Sequence, residues 1–370
     1  MNTPKISIVV PVYNAASHIP TLVAIVQAQT FKEWELILVN DGSKDNTAEV
    51  CKQFAKEDAR IRLITQPNQG PSAARNTGID AAKGEWINFM DADDSLLDCF
   101  LFSMYEVANQ SRDIDIAYAG YIIVEQSRND IYTYNTAVYE GFDSVRKAMG
   151  ETNILHRCPL WGKLFRRSIM ADKNLRFDTG LSHSEDRLFV YNYLLHTRGI
   201  ATTSAIGYLY DSTTTTSLKN KHLAVEVLCH RQRMLQQAAH ALVDQFKLEG
   251  EQVFKIAQHL IGLFSNSIQS LYYDYGNTTE TVRQQKAFYD EFFDKELYRS
   301  VSNCKRWKTY ESGDQRQQWA LAQNFKAINK HLNVIDKKIA VSKFYAKLTY
   351  RRETAHNFAR AVILLNRTIK

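Results

Sequence analysis

Two acidic clusters hold the residues best suited to chemistry: Asp91-Ala92-Asp93-Asp94 at the end of an apolar run, and Glu185-Asp186 just before a helix-like segment. Trp86-Ile87-Asn88-Phe89-Met90 follows Gly84 and is short, aromatic and β-branched, which predicts a buried strand ending at the first cluster. Alternate residues of an extended chain point the same way, so Asp91 and Asp93 can face one hard cation. Mg²⁺ or Mn²⁺ suits such a pair, since these ions take few protein carboxylates and complete their shells with water and phosphate oxygens. Acids after a strand also cap helices, and one Asp-x-Asp by itself does not separate the two uses. The second cluster suits a base. A carboxylate within hydrogen-bond reach of a hydroxyl takes its proton as that hydroxyl attacks, and Asp186 is the candidate. Its plainer reading is a first-turn acid before Arg187-Leu188-Phe189-Val190-Tyr191, and both can hold at once.

Such carboxylates act only if the fold brings them to one place. Lys5 to Val10 is an apolar run stopped by Pro11; Glu35 to Val39 is a second, stopped by Asn40-Asp41-Gly42-Ser43. A helix-like stretch from Ile19 to Gln29 separates them, Ile61 to Ile64 reads as a third strand, and Gly70 to Ala82 as a small-residue helix leading into the fourth. Alternation of strand and helix predicts a parallel sheet covered on both faces. Right-handed crossovers then put the loops after all four strands on one edge, where open parallel sheets bind ligands. Those loops carry Pro11-Val12-Tyr13-Asn14, Asn40 to Ser43, Gln66 to Gly70 and Asp91 to Asp94.

Five blocks, in order and spacing, resemble the family 2 glycosyltransferases of the GT-A fold. They are Ser7–Asn14 (SIVVPVYN), Val39–Thr47 (VNDGSKDNT), Asn68–Gly78 (NQGPSAARNTG), Gly84–Asp94 (GEWINFMDADD) and Ser184–Phe189 (SEDRLF). The resemblance covers roughly residues 5 to 215 and is specific through the set rather than through any one block. It implies a GT-A nucleotide-sugar-binding fold, a mostly parallel sheet flanked by helices, and inverting transfer of a sugar from a nucleotide-sugar donor. By position, Pro11, Tyr13, Asp41 and Arg75 match donor-binding residues. Asp91 and Asp93 match the Asp-x-Asp pair, with Asp93 the direct metal ligand; Asp186 matches the base and Glu185 its acidic neighbour. The chemistry asks for the same residue types. A nucleoside diphosphate leaves readily only when its developing charge is neutralised, and inversion in one displacement needs a base opposite the departing phosphate.

Other residues admit two readings each. Tyr13 stacks on a base or plugs the sheet edge; Asp41 binds base or ribose or serves its turn; Arg75 positions Asp41 or the nucleotide or pairs structurally with a carboxylate. Trp161 and Lys163 lie in a segment (Trp161–Phe165) matching one beside the family's acceptor pocket, although a buried core tryptophan fits as well. His222, a lone histidine, stays outside the metal set.

Composition predicts a cytoplasmic enzyme. At 370 residues and 45% hydrophobic content the chain can fill one large core and a second helical unit. Cys51, Cys99, Cys158, Cys229 and Cys304 are scattered, which predicts reduced thiols. No basic-then-apolar leader and no apolar run long enough for a bilayer-spanning helix are found. The polar run Asp211–Ser217 marks an expected boundary between a GT-A domain at 1–217 and a mainly helical region at 218–370, in which Val253, Ile256, Ala257, Leu260, Ile261, Phe264, Ile268 and Leu271 recur at helical spacing. Helices are expected at 222–248, 280–300, 316–333 and 337–369.

From Lys337 to Lys370 there are nine Lys or Arg and one acid, a net of +8 against +6 for the whole chain. Interleaved aromatic and aliphatic residues suit a helix lying on an anionic membrane surface, or a terminal helix packed on the domain with its charges in water. Nucleic acid suits it less, because the predicted cleft is acidic. The expected partners are a nucleotide-sugar donor and a glycan or lipid-linked acceptor, with the protein peripheral at the inner face of the cytoplasmic membrane. Two other classes remain: a nucleotidyltransferase acting on sugar phosphates, which usually shows a Gly-rich basic loop that Pro11-Val12-Tyr13-Asn14 lacks, and a non-catalytic nucleotide- or carbohydrate-binding module, which would not need all of Asp41, Asp91, Asp93 and Asp186.

Overall fold

The computed structural model describes residues 3–125, 129–152, 154–155, 158–212, 223–275, 284, 287–288 and 290–294. His222, Cys304, most of the helix expected at 280–300, those at 316–333 and 337–369, and with them the basic tail, lie outside these residues.

The first four long strands are β1 (Ile6–Val12), β2 (Trp34–Asp41), β3 (Ile61–Gln66) and β4 (Trp86–Phe89). They lie parallel in the order β3-β2-β1-β4. Helices α1 (Ile19–Ala28), α2 (Thr47–Glu57) and α3 (Pro71–Ala81) make the crossovers. β1 and β2 are central, and a strand covered on both faces has to be apolar throughout. Ile6, Ile8, Val9, Val10, Leu36, Ile37, Leu38 and Val39 are all buried without exposed surface. The parallel register sets Val12 beside Asn40 and Asp41 beside Gln66, so the strand ends reach one edge together, as expected.

Small residues seat α3. A Cβ at Gly78 would lie 2.2 Å from Val9 Cγ1, so this helix reaches its distance from β1 only with glycine there. The same approach brings Arg75, about one turn earlier, to the sheet's ligand edge.

Beyond β4 the sheet changes direction, and here the structure adds to the sequence reading. β5 (Ser95–Leu96), β6 (Ile116–Val124), β7 (Asn129–Tyr132), β8 (Ala137–Glu140), β9 (Lys163–Arg166) and β10 (Gly199–Asp211) complete a ten-stranded mixed sheet. β9 runs antiparallel to β4 and β6, β10 is parallel to β6, and β5 is antiparallel to β10. Helices α4 (Phe100–Ala108), α5 (Phe142–Glu151), α6 (Arg167–Asp172) and α7 (Glu185–Leu194) lie between them in sequence.

One core cluster joins Ile6, Ile8, Val10 and Val12 of β1 to Ile19, Leu22, Val23 and Val26 of α1 and to Phe100, Leu101 and Met104 of α4. A second packs Phe89 of β4 edge-on to Phe177 and Phe189, which stack on each other at 4.0 Å. Each such ring pair adds about 1 kcal/mol to the burial itself. These rings support α7, and so the segment where the second acidic cluster begins.

By its contacts the chain forms two units: Met1–Asn220 with Ala238–Lys247, and Lys221–Gln237 with Leu248–Lys370. In the second, α8 (Val225–Phe246) contributes its first turns and α9 (Glu251–Tyr275) its whole length. Leu228, Phe264, Phe288 and Phe292 form its buried cluster, and Arg231 donates to Ser267 Oγ at 2.8 Å. Val253, Ile256, Ala257, Leu260 and Phe264 are buried as their spacing predicts. Among the described residues no helix is long and apolar enough to cross a membrane.

Candidate active site

The loop after β1 is shaped by two unusual backbone conformations. Asn14 adopts φ 49° and accepts the Lys44 N–H on its Oδ1 at 2.8 Å, while its own N–H donates to Ser43 Oγ at 3.0 Å. Gly42 lies at φ 68°, where an added Cβ would approach Asn68 N to 2.7 Å. The loops after β1, β2 and β3 are thereby laced together. Pro11 sits in β1 beside Val39, and Tyr13 stands 46% exposed just beyond it, an open ring rather than a plug.

Asp41 is buried at the end of β2. Its Oδ1 accepts from Gln66 Nε2 at 2.8 Å and Gln69 N at 2.9 Å, and its Oδ2 from Gly70 N at 2.8 Å. A carboxylate offers about four acceptor positions, so these bonds shape the loop entering α3 and leave about one for a ligand.

The acidic turn follows β4. Asp91 and Asp93 are half-buried and Asp94 is buried. Tyr208 of β10 donates its hydroxyl to Asp94 Oδ2 at 2.5 Å, and Asp211 N donates to Asp94 Oδ1 at 3.3 Å. Burial, then the charges of Asp91 and Asp93, push the Asp94 carboxyl up to about 8. Carboxylates crowded into four residues are the excess of negative charge that a divalent cation relieves. The chemistry of the turn therefore fits Mg²⁺ or Mn²⁺, with Asp93 and Asp91 as the residues to hold it. Among the described residues no group of three or more His, Cys, Asp or Glu is arranged to hold a metal.

One side chain ties the two acidic clusters together. Arg75, buried on α3, donates Nη2 to Asp91 Oδ1 at 3.1 Å and Nη1 to Glu185 Oε1 at 3.2 Å. Its Nε is buried and has no hydrogen-bond partner among the described residues.

Glu185 and Asp186 open α7, where the helix dipole favours acids. The preceding Ser184 is held at φ 67°, a conformation a non-glycine residue adopts only when its surroundings enforce it. Asp186 Oδ1 accepts the Arg187 N–H at 2.6 Å, a bond within the helix's first turn. Burial pushes Asp186 above the usual carboxylate range, against the pull of Arg187, Arg75 and Lys163. Burial and the neighbouring Asp186 likewise push Glu185 up, against Arg75.

Trp161 is half-buried, its ring nearly parallel to Tyr208 at 5.2 Å and Tyr210 at 5.1 Å, and edge-on to Tyr121 at 4.5 Å. Lys163 lies underneath instead of facing the cleft. It is 2% exposed, donates to Pro159 O at 2.5 Å, stands over the Tyr118 ring, and burial draws its ammonium down to about 8.

Tyr208, Tyr210 and Arg187 escaped the sequence reading. Arg187 is buried and donates Nη1 to Leu155 O and Tyr191 Oη, both at 3.2 Å, bracing the start of α7 from behind. The i, i+2 tyrosine pair in an apolar strand carried the missing signal, since it places both rings on one face.

Comparison with known proteins bears on the family and the fold. Residues 7–172 match the model of Glycosyl transferase family 2. The uncharacterized glycosyltransferase EpsJ of Bacillus subtilis is 35% identical over 192 residues, 50% of this chain and 55% of EpsJ. The GalNAc(5)-diNAcBac-PP-undecaprenol beta-1,3-glucosyltransferase of Campylobacter jejuni is 37% identical over 109 residues, 29% of this chain and 35% of that protein. The chain thus spans about half the length of EpsJ and less of the second relative. Among solved structures, S. aureus TarS 1-349 in complex with UDP-GlcNAc superposes with a TM-score of 0.66 at 18% identity, over 93% of this chain and 92% of that one. That likeness carries the fold alone, and the likeness to glycosyltransferase family 2 rests on the sequence match over residues 7–172.

Proposed function

We propose that this protein transfers a sugar, with inversion, from a nucleoside-diphosphate sugar to a hydroxyl of a glycan or lipid-linked acceptor in cell-surface polysaccharide synthesis. The observation that supports this most is the Arg75 bridge, because it sets a metal-suited acidic turn and a base-suited acidic pair against one buried guanidinium. A UDP sugar is the first donor to try, as TarS holds UDP-GlcNAc on the same fold. The undecaprenol-linked name of one relative makes a lipid-linked acceptor the parallel choice.

Tyr13 offers its open ring to the nucleobase, and Asp41 and Pro11 frame the ribose side. Asp93, with Asp91, holds Mg²⁺ or Mn²⁺, which when bound neutralises charge developing on the departing diphosphate. Arg75 turns its remaining donors toward the same phosphates. Asp186 accepts the proton of the attacking hydroxyl, and Glu185, held by Arg75, keeps the start of α7 in place. Trp161 packs against the acceptor sugar while Lys163 supports its segment from below. Residues 1–217 make the donor and catalytic domain in this reading. Residues 218–370 make an acceptor or membrane-surface unit, whose basic tail at 337–370 would hold the enzyme to anionic lipid on the cytoplasmic side.

Screening nucleotide sugars for metal-dependent nucleoside diphosphate release tests the donor half. Wild type should release product from one donor and lose that activity in EDTA, and Asp93→Asn should lose metal-dependent UDP binding while remaining folded. Unchanged turnover in EDTA and in Asp93→Asn would refute the metal assignment. Anionic vesicles should sediment the full-length protein and not a folded form lacking residues 344–370.

A further inference from the structure

We propose that Tyr208 is a positioning residue for the acidic turn: its buried hydroxyl braces the turn from both ends, and through its ring the Trp161 wall is joined to the carboxylates that hold the donor's cation. This rests on Asp91 and Asp93 holding the metal, and nothing in the family match assigns Tyr208, which lies beyond residues 7–172.

The hydroxyl makes two bonds with opposite roles. It donates to Asp94 Oδ2 at 2.5 Å and accepts the Asp91 N–H at 3.4 Å, spanning the turn from its first residue to its last. Asp94 cannot ligate outward in this arrangement, because it is 3% exposed and its other oxygen takes the Asp211 N–H. Its part is to be the anchor. With Asp91 and Asp94 fixed, the orientation of the intervening Asp93 follows from a short, pinned span of chain.

Tyr208 is itself firmly placed. Antiparallel pairing sets it opposite Leu96, just past the turn, and Leu97 N donates to Gly207 O at 2.9 Å. Its ring packs edge-on to Phe100 at 6.0 Å and face-to-face with Trp161 at 5.2 Å, and none of its surface is exposed. A ring clamped between neighbours loses little freedom when it makes its bonds, so the hydroxyl can hold the turn at low entropic cost. Groups behind a metal's direct ligands orient those ligands, and their loss weakens metal affinity by roughly ten- to a hundredfold.

The test is binding without turnover. Mn²⁺ affinity in the presence of UDP is measured by the electron paramagnetic resonance of free Mn²⁺, and UDP affinity is measured again in EDTA. Tyr208→Phe keeps the ring and its packing; it should weaken Mn²⁺ binding about tenfold and leave the metal-free affinity for UDP unchanged. Asp94→Ala removes the other end of the same brace, and the double variant should bind Mn²⁺ no more weakly than the weaker single one. A merely structural tyrosine would lower the melting temperature of Tyr208→Phe while Mn²⁺ affinity, measured well below that temperature, stays at the wild-type value. That result, or losses that add in the double variant, would overturn the proposal and leave the active-site assignment standing. Wild type that binds no Mn²⁺ with UDP would instead bring down the metal assignment, and this inference with it.

Discussion

At the Asp91–Asp94 turn the acids crowd one another and Arg75 pairs with Asp91; at Glu185–Asp186 burial raises both carboxyls, and Arg187, Arg75 and Lys163 all draw on Asp186. The first cluster carries surplus negative charge at a strand end. The second is balanced from inside the protein. Crowded acids are a place where an external cation can settle, whereas a carboxylate with several cations nearby can lie buried, keep a raised pKa and still ionise near neutral pH. That difference, more than the count of acids, is the ground for proposing metal at one cluster and base at the other. Arg75 belongs to both, so it is where the distinction can be tested.

The largest effect should come from the balanced cluster. Asp186→Asn keeps the bond to Arg187 N but cannot take a proton, so transfer should fall by roughly two to four orders of magnitude with metal-dependent UDP binding retained. Glu185→Gln should cost less, since Glu185 supports Asp186 through Arg75. If single-turnover rates show Glu185→Gln dead and Asp186→Asn active, the two neighbours have exchanged roles.

Arg75→Lys comes next. A lysine cannot reach Asp91 and Glu185 together with a planar fork, so both clusters should suffer in one variant. Removing one partner of a buried ion pair costs roughly 3 to 5 kcal/mol, and less is expected here because the Asp91 side chain is 37% exposed. Donor KM should rise and kcat should fall together. A change in only one of them would show that the guanidinium serves a single cluster.

Four parallel strands, their crossovers and both acid clusters were legible in the chain. Their signals are local: unbroken apolar runs for strands buried on two faces, small residues for a helix pressed on the sheet, and turn residues where each strand stops. The rest of the sheet was not. β5 and β9 have only two and four residues, too few for a period to show, and their places depend on partners distant in sequence, as in the pairing of Trp86 with Arg166. The Arg75 bridge was hidden for a similar reason. Its residues lie on α3, after β4 and on α7, and a guanidinium shared by Asp91 and Glu185 leaves no pattern in one segment. Lys163 shows the converse, since its sequence neighbours suggest the cleft while the strand pleat turns it inward.

Titration gives a smaller effect, read at the second cluster. Asp186 and Glu185 are raised, so the acid limb of kcat/KM should lie above the ordinary carboxylate value near 4, with the rate rising as pH increases through it. The same shift costs stability. A carboxyl that binds its proton more tightly when folded contributes stability at low pH, and this is lost as pH climbs through the raised value. Asp186→Asn should therefore melt higher than wild type at neutral pH and lose that advantage in acid. Equal melting temperatures at both pH values would mean that Asp186 is not strained by its burial.

The seat of α3 supplies the smallest test. Alanine normally favours a helix over glycine by about 1 kcal/mol, so Gly78→Ala would stabilise an isolated helix. Here the new methyl would lie 2.2 Å from Val9 Cγ1, and overpacking of this kind costs roughly 1 to 3 kcal/mol. A net loss of stability by urea titration is expected, with most of it recovered in Val9→Ala/Gly78→Ala, where the opposing side chain makes room. Arg75 rides on the same helix, about one turn away, so any outward shift lengthens its reach to Asp91 and Glu185 together and should lower activity by less than direct removal of the guanidinium does. If Gly78→Ala loses stability and keeps full activity, the bridge tolerates movement of its helix and draws its precision from the carboxylates.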